Sequence, residues 1–413
     1  LGDTRTRVNW SASNTSYVER DREDRLRGFS DHAATVTTTD ASGQTAYAVR
    51  RDYRDVIGLV RHRYEPSHPA ATAVLARPRD LRLSLDARLQ VRVGAILSRY
   101  AGASKSGNAA AVVLDATTGD ILAAVSYPWP DLEALVEDRR DSADLEDELL
   151  DRARFGLYPP GSTFKMITAA AALSHRDSGQ MQFACRRLPD GRVGATVPGL
   201  GRPIRDDVLD TRPHGAIDLH QALVVSCNAY FAQLAVRIGQ AQLAGTSARA
   251  GIAIAARDIG RDALAHAGYG QGPVLTTPMK LARVAAAVGT DGVIRGPSLD
   301  RTAEEESGDP HLLSEPSARL LARALRDAVL AGTGRQLRAH PGRIAGKTGT
   351  AQVAGAPSHA WFAGFAPYGP AARRIAFAVI LEHAGYGGAN AAAAAGEIVS
   401  AASSLDLLES QDR

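Results

Sequence analysis

Ala110-Ala111-Val112-Val113-Leu114, then Asp115-Ala116-Thr117-Thr118-Gly119-Asp120, then Ile121-Leu122-Ala123-Ala124-Val125: two apolar runs of strand length flank a polar, glycine-containing connection. This reads as a β-hairpin. Three more runs in the last third read as strands: Ile344 to Val353, Ala360 to Ala366 and Arg374 to Leu381. An Ala-rich helix is expected after them, from about Ala389 to Leu407. Before the hairpin, Leu81-Arg82-Leu83-Ser84-Leu85 alternates like a strand. Asp86 then caps a helix to about Tyr100, with apolar residues at Leu89, Val93 and Ile96 or Leu97. Tyr158-Pro159-Pro160-Gly161 stops the chain ahead of an apolar helix from Ser162 to about Leu173. Strands drawn from both ends of one region, with helices between, imply an α+β fold in which an antiparallel sheet is flanked by helices. No internal repeat is visible.

That region is expected to run from residue 80 to 413, with residues 1–79 forming a small N-terminal stalk or pedestal-like domain. The first part is rich in Arg, Asp, Ser and Thr. Thr35 to Thr39 and Thr45 to Val49 read as short strands around an Asp40-Ala41-Ser42-Gly43 turn, and Asp52 to Arg63 has weak helical periodicity. The acidic segment Asp131 to Asp151 reads as a solvated helix and loop, its charges too dispersed for a metal site. At 413 residues the chain is long enough for a sizeable core. A net charge of +3 and 5% aromatics argue against a nucleic-acid partner. No run approaches the roughly 18 apolar residues of a spanning helix. Leu1 to Ser30 is polar and Arg-rich, unlike a signal peptide. The expectation is an anchor or signal that has been removed, or a piece of a longer protein. Cys185 and Cys227 are too few for a disulfide scaffold and show no metal-ligand spacing. They read either as a pair in an oxidising compartment or as two small buried hydrophobes. No metal or cofactor is expected.

Three short strings carry the chemistry: Ser162-Thr163-Phe164-Lys165, Ser226-Cys227-Asn228 and Lys347-Thr348-Gly349-Thr350. The 48 basic residues include only four lysines, Lys105, Lys165, Lys280 and Lys347, and two of these lie in the strings. Arg stays protonated in proteins whereas a buried Lys shifts its pKa readily, so an Arg-biased chain keeps Lys where a titratable amine is needed. Gly161 and the prolines place Ser162 at or near a helix N-terminus, which favours negative charge on an attacking oxygen. Lys165, three residues on, shares its helix face. Phe164, Met166 and Ile167 make the surroundings apolar, which makes a neutral amine accessible as a general base. Residues two apart do not share a helix face, so Ser226 and Asn228 can enter one site only if a helix ends at Ser226 and the next starts near Asn228. Ser226 could then relay a proton and Asn228 could hold a substrate amide. In a strand Lys347 and Gly349 share a face. Lys347 offers charge to a substrate carboxylate, Thr348 and Thr350 offer hydroxyls, and Gly349 lets a ligand backbone lie close.

Alone, each string has a plain alternative: an N-cap serine with a surface lysine, a helix–helix corner, or a phosphate-binding loop. The last fails on spacing. Gly342-Arg343-Ile344-Ala345-Gly346-Lys347-Thr348 has one residue too few between its glycines and opens a strand rather than a helix.

Taken together and in this order, the strings match the set found in penicillin-binding proteins and serine β-lactamases. Tyr158 to Lys165, Gly270-Gln271-Gly272 through Thr277-Pro278, Gly332-Thr333-Gly334, Ala345 to Gln352 and Trp361-Phe362-Ala363-Gly364-Phe365-Ala366-Pro367 extend the match. From about Asp80 to Leu407 the chain resembles the transpeptidase domain of class B penicillin-binding proteins. The resemblance implies a β-lactamase/transpeptidase-like fold and a D,D-transpeptidase that acylates its serine on D-Ala-D-Ala stems, cross-links peptidoglycan and is inhibited by β-lactams. It implies Ser162 as nucleophile, Lys165, Ser226, Asn228 and Lys347 as its catalytic partners, and Thr348, Gly349 and Thr350 as the carboxylate and oxyanion side, with the amides of Ser162 and Thr350 forming the oxyanion hole. It also implies an extracytoplasmic protein, membrane-associated through an anchor not present in this chain, and a membrane glycosyltransferase of the SEDS type as partner of the N-terminal region. The first 79 residues depart from the family pattern: of its Arg-Gly…Asp-Arg-x-Gly signature, at most Arg27-Gly28-Phe29-Ser30-Asp31-His32 remains. The competing activities are a D,D-carboxypeptidase, a serine β-lactamase and a non-catalytic β-lactam sensor or scaffold. A class A β-lactamase needs a Glu between the second and third strings, and Cys227 to Ala303 contains none.

Overall fold

The computed structural model describes residues 7–12, 33–39, 45–52, 62, 64–65, 67–76, 82–102, 104–129, 149–175, 181–254, 258–299 and 308–408. It divides into two compact units, Leu1–Arg82 and Leu83–Arg413. In the first, β1 (Arg7–Ala12), β2 (Ala33–Thr39) and β3 (Thr45–Asp52) form an antiparallel sheet in chain order, followed by a short helix, α1 (Pro69–Leu75). The threonine-rich runs correspond to β2 and β3, while β1 is not anticipated by its sequence. The Asp40–Gly43 turn, most of Asp52–Arg63 and the Arg27–His32 string lie outside the described residues.

The second unit opens with α2 (Ala87–Ala101), capped by Asp86, whose carboxylate accepts from the amides of Arg88 and Leu89. Leu89, Val93, Ile96 and Leu97 are buried, at about 1.5–3 kcal/mol each. The segment before it is not a full strand. It forms an isolated bridge at Leu83, and Ser84 ties it down by donating its amide to Leu299 O and its hydroxyl to Ile121 O and Ser298 O. The hairpin is β4 (Ala109–Asp115) and β5 (Ile121–Tyr127). Residues 131–148 of the acidic segment lie outside the described residues. A 3-10 turn, Gly161–Phe164, leads into α3 (Lys165–Leu173). A small sheet follows, from β6 (Phe183–Arg187), β7 (Val193–Ala195), β8 (Ile204–Arg205) and β9 (Gly215–Ile217), in the order β8-β7-β6-β9. Then come α4 (Leu219–Val225), α5 (Asn228–Ile238), α6 (Gln240–Arg249), α7 (Gly260–Ala267), α8 (Pro278–Gly289) and α9 (Glu315–Leu330). Strands β10 (Ala345–Val353), β11 (Ala356–Ala366) and β12 (Ile375–Leu381) precede α10 (Asn390–Ser404).

The central sheet runs β10-β11-β12-β4-β5, antiparallel throughout. The two ends of the unit meet where β12 pairs with β4, Ile375 opposite Asp115 and Leu381 opposite Ala109. Val112, Leu114, Ile380 and Trp361 face one cluster, shared with α3, α5, α8 and α9. Val113, Phe377, Val379 and Phe362 face the other, shared with α2 and α10. Many antiparallel sheets have a wet face and alternate; this one is covered on both, so its strands read as unbroken apolar runs. Helix α3 is buried from Lys165 to Ala172, and its run of four alanines lets its neighbours close in on every side. No described helix is long and apolar enough to cross a membrane.

Candidate active site

The turn that carries Ser162 is clamped between two glycines from elsewhere in the chain. Gly161 N donates to Gly270 O at 2.9 Å, and a Cβ on Gly270 (φ 79°) would sit 2.0 Å from Gly161 O. On the other side the edge strand β10 lies against the same turn. A Cβ on Gly349 would meet Pro160 O and Thr163 Cγ2, both at 2.9 Å. A side chain at 349 would thus collide with the turn that carries Ser162. Trp361, opposite Gly349 on β11, is fully buried and donates Nε1–H to Pro159 O at 3.1 Å, fixing the proline pair.

The second string breaks a helix. Helix α4, started by an Asp218/Gln221 capping box, ends at Ser226 in the left-handed conformation (φ 61°, ψ 38°), and Cys227 caps α5, which begins at Asn228. Left-handed backbone is uncommon for a serine and costs of order 1–3 kcal/mol, which the surroundings must offset. Here the break turns the carbonyl and hydroxyl of Ser226 and the amide of Asn228 toward α3. Lys165 Nζ donates to Ser226 O at 2.6 Å, to Asn228 Oδ1 at 2.7 Å and to Ser226 Oγ at 3.2 Å. The Phe231 ring lies 5.5 Å from the same nitrogen.

Lys347 reaches the same hydroxyl from the third string. Its Nζ donates to Ser226 Oγ at 2.8 Å, to Thr348 O at 3.1 Å and to Thr333 Oγ1 at 3.5 Å. Both lysines are 0% exposed. Burial pushes Lys165 down from the ordinary lysine value to about 8, partly offset by the charge of Asp206. Burial, then the neighbouring Lys165, push Lys347 well below the ordinary value. Two ammonium groups on one serine repel, so the site favours losing a proton from one of them. The Ser226 hydroxyl accepts from both lysines. A carboxylate arriving beside Lys347 would restore that ammonium and leave Lys165 as the amine free to act as base.

Ser162, Ser226, Asn228 and Thr350 are half-buried and Thr333 is exposed, so the cleft opens along this line. Among the described residues, the hydrogen bonds of the Lys165 amine go to Ser226 and Asn228. Thr348 Oγ1 pairs with Thr333 Oγ1 at 2.6 Å, and Thr350 Oγ1 receives Gly387 N at 3.5 Å. The arrangement can therefore supply a nucleophile, a base, a relay and an anion clamp to one acyl group.

The family model for the penicillin binding protein transpeptidase domain matches residues 109–400. The chain belongs to the penicillin-binding protein transpeptidase family. The peptidoglycan D,D-transpeptidase MrdA of Acinetobacter baumannii is 30% identical over 370 residues, which is 76% of this chain and 52% of that protein. The peptidoglycan D,D-transpeptidase PbpA of Mycolicibacterium smegmatis is 31% identical over 319 residues, 66% of this chain and 62% of the relative. The chain thus spans about half to three-fifths of the length of these relatives. Pseudomonas aeruginosa PBP2 in complex with WCK 5153 superposes with a TM-score of 0.67 at 27% identity, covering 78% of this chain and 75% of that one. The penicillin G acyl-enzyme of Mycobacterium tuberculosis penicillin-binding protein A gives 0.65 at 26% identity, covering 90% and 96%. The α+β fold expected of this transpeptidase domain, an antiparallel sheet flanked by helices, is the fold of these neighbours.

Of the eight residues named from the three strings, Lys165, Ser226, Asn228 and Lys347 meet directly through hydrogen bonds, while Gly349 packs against the turn that carries Ser162. Thr333, from the Gly332-Thr333-Gly334 string that extends the resemblance, joins them through Lys347 and Thr348. Phe231 joins them too, with no sequence signal beyond its place one turn along α5.

Cys185 and Cys227, which show no metal-ligand spacing in sequence, come together in the fold. Cys185, on β6, and Cys227 are both buried and free, and their Sγ atoms donate to the same oxygen, Asp206 Oδ2, at 3.0 and 3.2 Å. With His214 they offer four ligand atoms within 4.8 Å of one another. Spacing could not reveal this, because the four come from separate stretches that only the small sheet brings together.

Proposed function

We propose that this chain is the acyl-transfer part of a longer peptidoglycan D,D-transpeptidase. The observation that carries this reading is the single hydroxyl of Ser226 within hydrogen-bond reach of two buried lysines from two other strings, one of them three residues along the chain from Ser162. In this reading Lys165 takes the Ser162 proton as Oγ attacks the carbonyl carbon of the penultimate D-Ala. The peptide C–N bond breaks, and the terminal D-Ala leaves with the proton delivered through Ser226. An amine from a neighbouring stem then attacks the ester, an amide forms, and the proton returns to Ser162. Asn228 orients the stem amide, Lys347, Thr348 and Thr350 receive the terminal carboxylate, and the amides of Ser162 and Thr350 face the oxyanion. A β-lactam enters by the same attack and stays as the acyl ester. We place the protein outside the cytoplasm, held at the membrane by an anchor outside this chain. Residues 1–79 are assigned as its pedestal, the surface for a membrane glycosyltransferase of the SEDS type, and residues 80–413 as the penicillin-binding transpeptidase domain.

The test is intact mass after incubation with a penicillin, for the protein and for Ser162→Ala, followed by a stem-peptide ester with and without an acceptor amine. The reading predicts a long-lived one-drug adduct that the variant lacks, and aminolysis in preference to hydrolysis. Hydrolysis alone would make the protein a carboxypeptidase, and rapid drug turnover with no adduct would make it a β-lactamase. An adduct without any turnover of the ester would make it a sensor.

A further inference from the structure

In the first unit, the segment between β3 and α1 turns twice in succession. Glu65 N donates to His62 O and His68 N donates to Glu65 O, both at 2.9 Å. Two consecutive i→i+3 bonds give a period of three residues, as in a 3-10 helix, which eclipses side chains at i, i+3 and i+6. The side chains brought together this way are an imidazole, a carboxylate and an imidazole. The two rings lie face to face, with centroids 3.4 Å apart and planes within 3°. His62 Nδ1 is buried without a hydrogen bond and lies 3.5 Å from Glu65 Oε2. One ligand atom from each of the three residues falls within 4.8 Å of the other two. We propose that His62, Glu65 and His68 form a surface site for a borderline divalent metal of the zinc, nickel and copper class, which staples this segment to the start of α1.

Two imidazoles and one carboxylate suit these metals, whereas magnesium and calcium prefer oxygen alone. In a tetrahedral zinc site nitrogen and oxygen donors lie about 2.0–2.2 Å from the metal, and so roughly 3.4 Å from one another. The His62–Glu65 separation is already that of two ligands on one ion, and it is long for a hydrogen bond. The parallel rings must splay for their lone pairs to converge, a rotation open to side chains at a solvent boundary. Glu65 is 66% exposed at its side chain and His62 28%. Three protein donors leave a coordination position for water. Binding exchanges metal-bound waters for two ring nitrogens and a carboxylate oxygen, with no change of oxidation state. The His68 carbonyl accepts from Ala71 N and Thr72 N in the first turn of α1. A metal on the His68 ring therefore ties that helix start to the turns before it.

The experiment uses the full chain, without a tag and under reducing conditions. The first readout is made on wild type. Added zinc should protect His62 and His68 from diethyl pyrocarbonate, as read by peptide mass mapping, while the exposed His311 stays reactive. The second is retention on nickel held by an iminodiacetate resin, which a surface group can reach and the buried Cys185 and Cys227 cannot. His62→Ala and His68→Ala should elute earlier than wild type, and His311→Ala should elute with it. In a zinc titration the first two variants should bind about one equivalent less, and Glu65→Gln should weaken that equivalent roughly tenfold or more. The proposal is overturned if micromolar zinc leaves both histidines as reactive as before. It is also overturned if His311→Ala shortens retention as much as His62→Ala, or if the two variants bind as much zinc as wild type. The protection readout needs no variant, so a substitution that fails to fold does not decide the result. None of these outcomes bears on acylation of Ser162.

Discussion

At the scale of single residues, the proposed chemistry rests on how two amines are tuned. Lys165 donates to three oxygens and sits near pKa 8 because it is buried. Replacing it with Arg keeps the cation but removes the base, since guanidinium does not deprotonate. Lys165→Arg should slow penicillin acylation by roughly 10²–10⁴, the usual worth of a positioned base, as measured by adduct mass against time. The sign of the pH dependence follows from the direction of the shift. A lowered pKa means the neutral, active amine gains as pH rises, so the acylation rate should climb about tenfold per unit below pH 8 and level off above it. A rate falling with pH across 6 to 8, or a flat profile, would place the base elsewhere. The two lysines were legible in the sequence because the chain spends lysine so sparingly. Asp206 was not, because a lone aspartate in an Arg-Asp-Asp stretch looks like solvated charge. Only the fold carries it inward to two thiols and a helix start.

At the scale of elements, the site is a set of close approaches between backbones. The hairpin, the late strands and the helix capped by Asp86 could all be read from apolar pattern and turn residues. The break between α4 and α5 could be inferred from the need to bring Ser226 and Asn228 to one side. The reason for Gly349 could not, because sequence does not show which surface a strand glycine faces. Gly270 gives the sharpest test of this packing. Its Cα hydrogen points at the Gly161 carbonyl, and a methyl there would stand 2.0 Å from that oxygen on a φ of 79°. Gly270→Ala must shift the nucleophile's turn. Displacements of about 1 Å can cost roughly 10²-fold in rate, so acylation should slow by that order while far-UV circular dichroism stays unchanged. Acylation at the wild-type rate would show that the clamp is dispensable.

Across the whole transpeptidase unit, one buried ion pair ties the approach to the site to the sheet. Arg152 (1% exposed) donates to Glu382 at 3.0 Å, just past the end of β12, and Glu382 also accepts from Tyr158 OH at 2.7 Å. Tyr158 begins the Pro-Pro-Gly stretch that leads to Ser162. Arg152→Met would leave a carboxylate buried without its cation, at a cost of about 3–5 kcal/mol. A thermal melt should show a drop of several degrees, and Arg152→Met with Glu382→Leu should recover most of it. If the single and double variants melt alike, the pair does not act as a unit. Nothing in the sequence marks these two residues as partners, for 230 positions separate them.

The one-residue break at Ser226 has a consequence for ionic strength. The carbonyl that ends α4 accepts Lys165, while an amide in the first turn of α5 donates to Asp206. A cation and an anion are thus held apart by fixed backbone groups on either side of a single turn, each at the helix end whose polarity suits it. Lys165 is fully buried and Asp206 nearly so. Charges placed this way are screened far less than surface pairs. The first-order acylation step should change by less than about twofold between roughly 0.05 and 0.5 M salt, even where the encounter with an anionic drug slows. A steep salt dependence of that step in rapid-quench measurements would mean that water and ions enter between the two helices during catalysis.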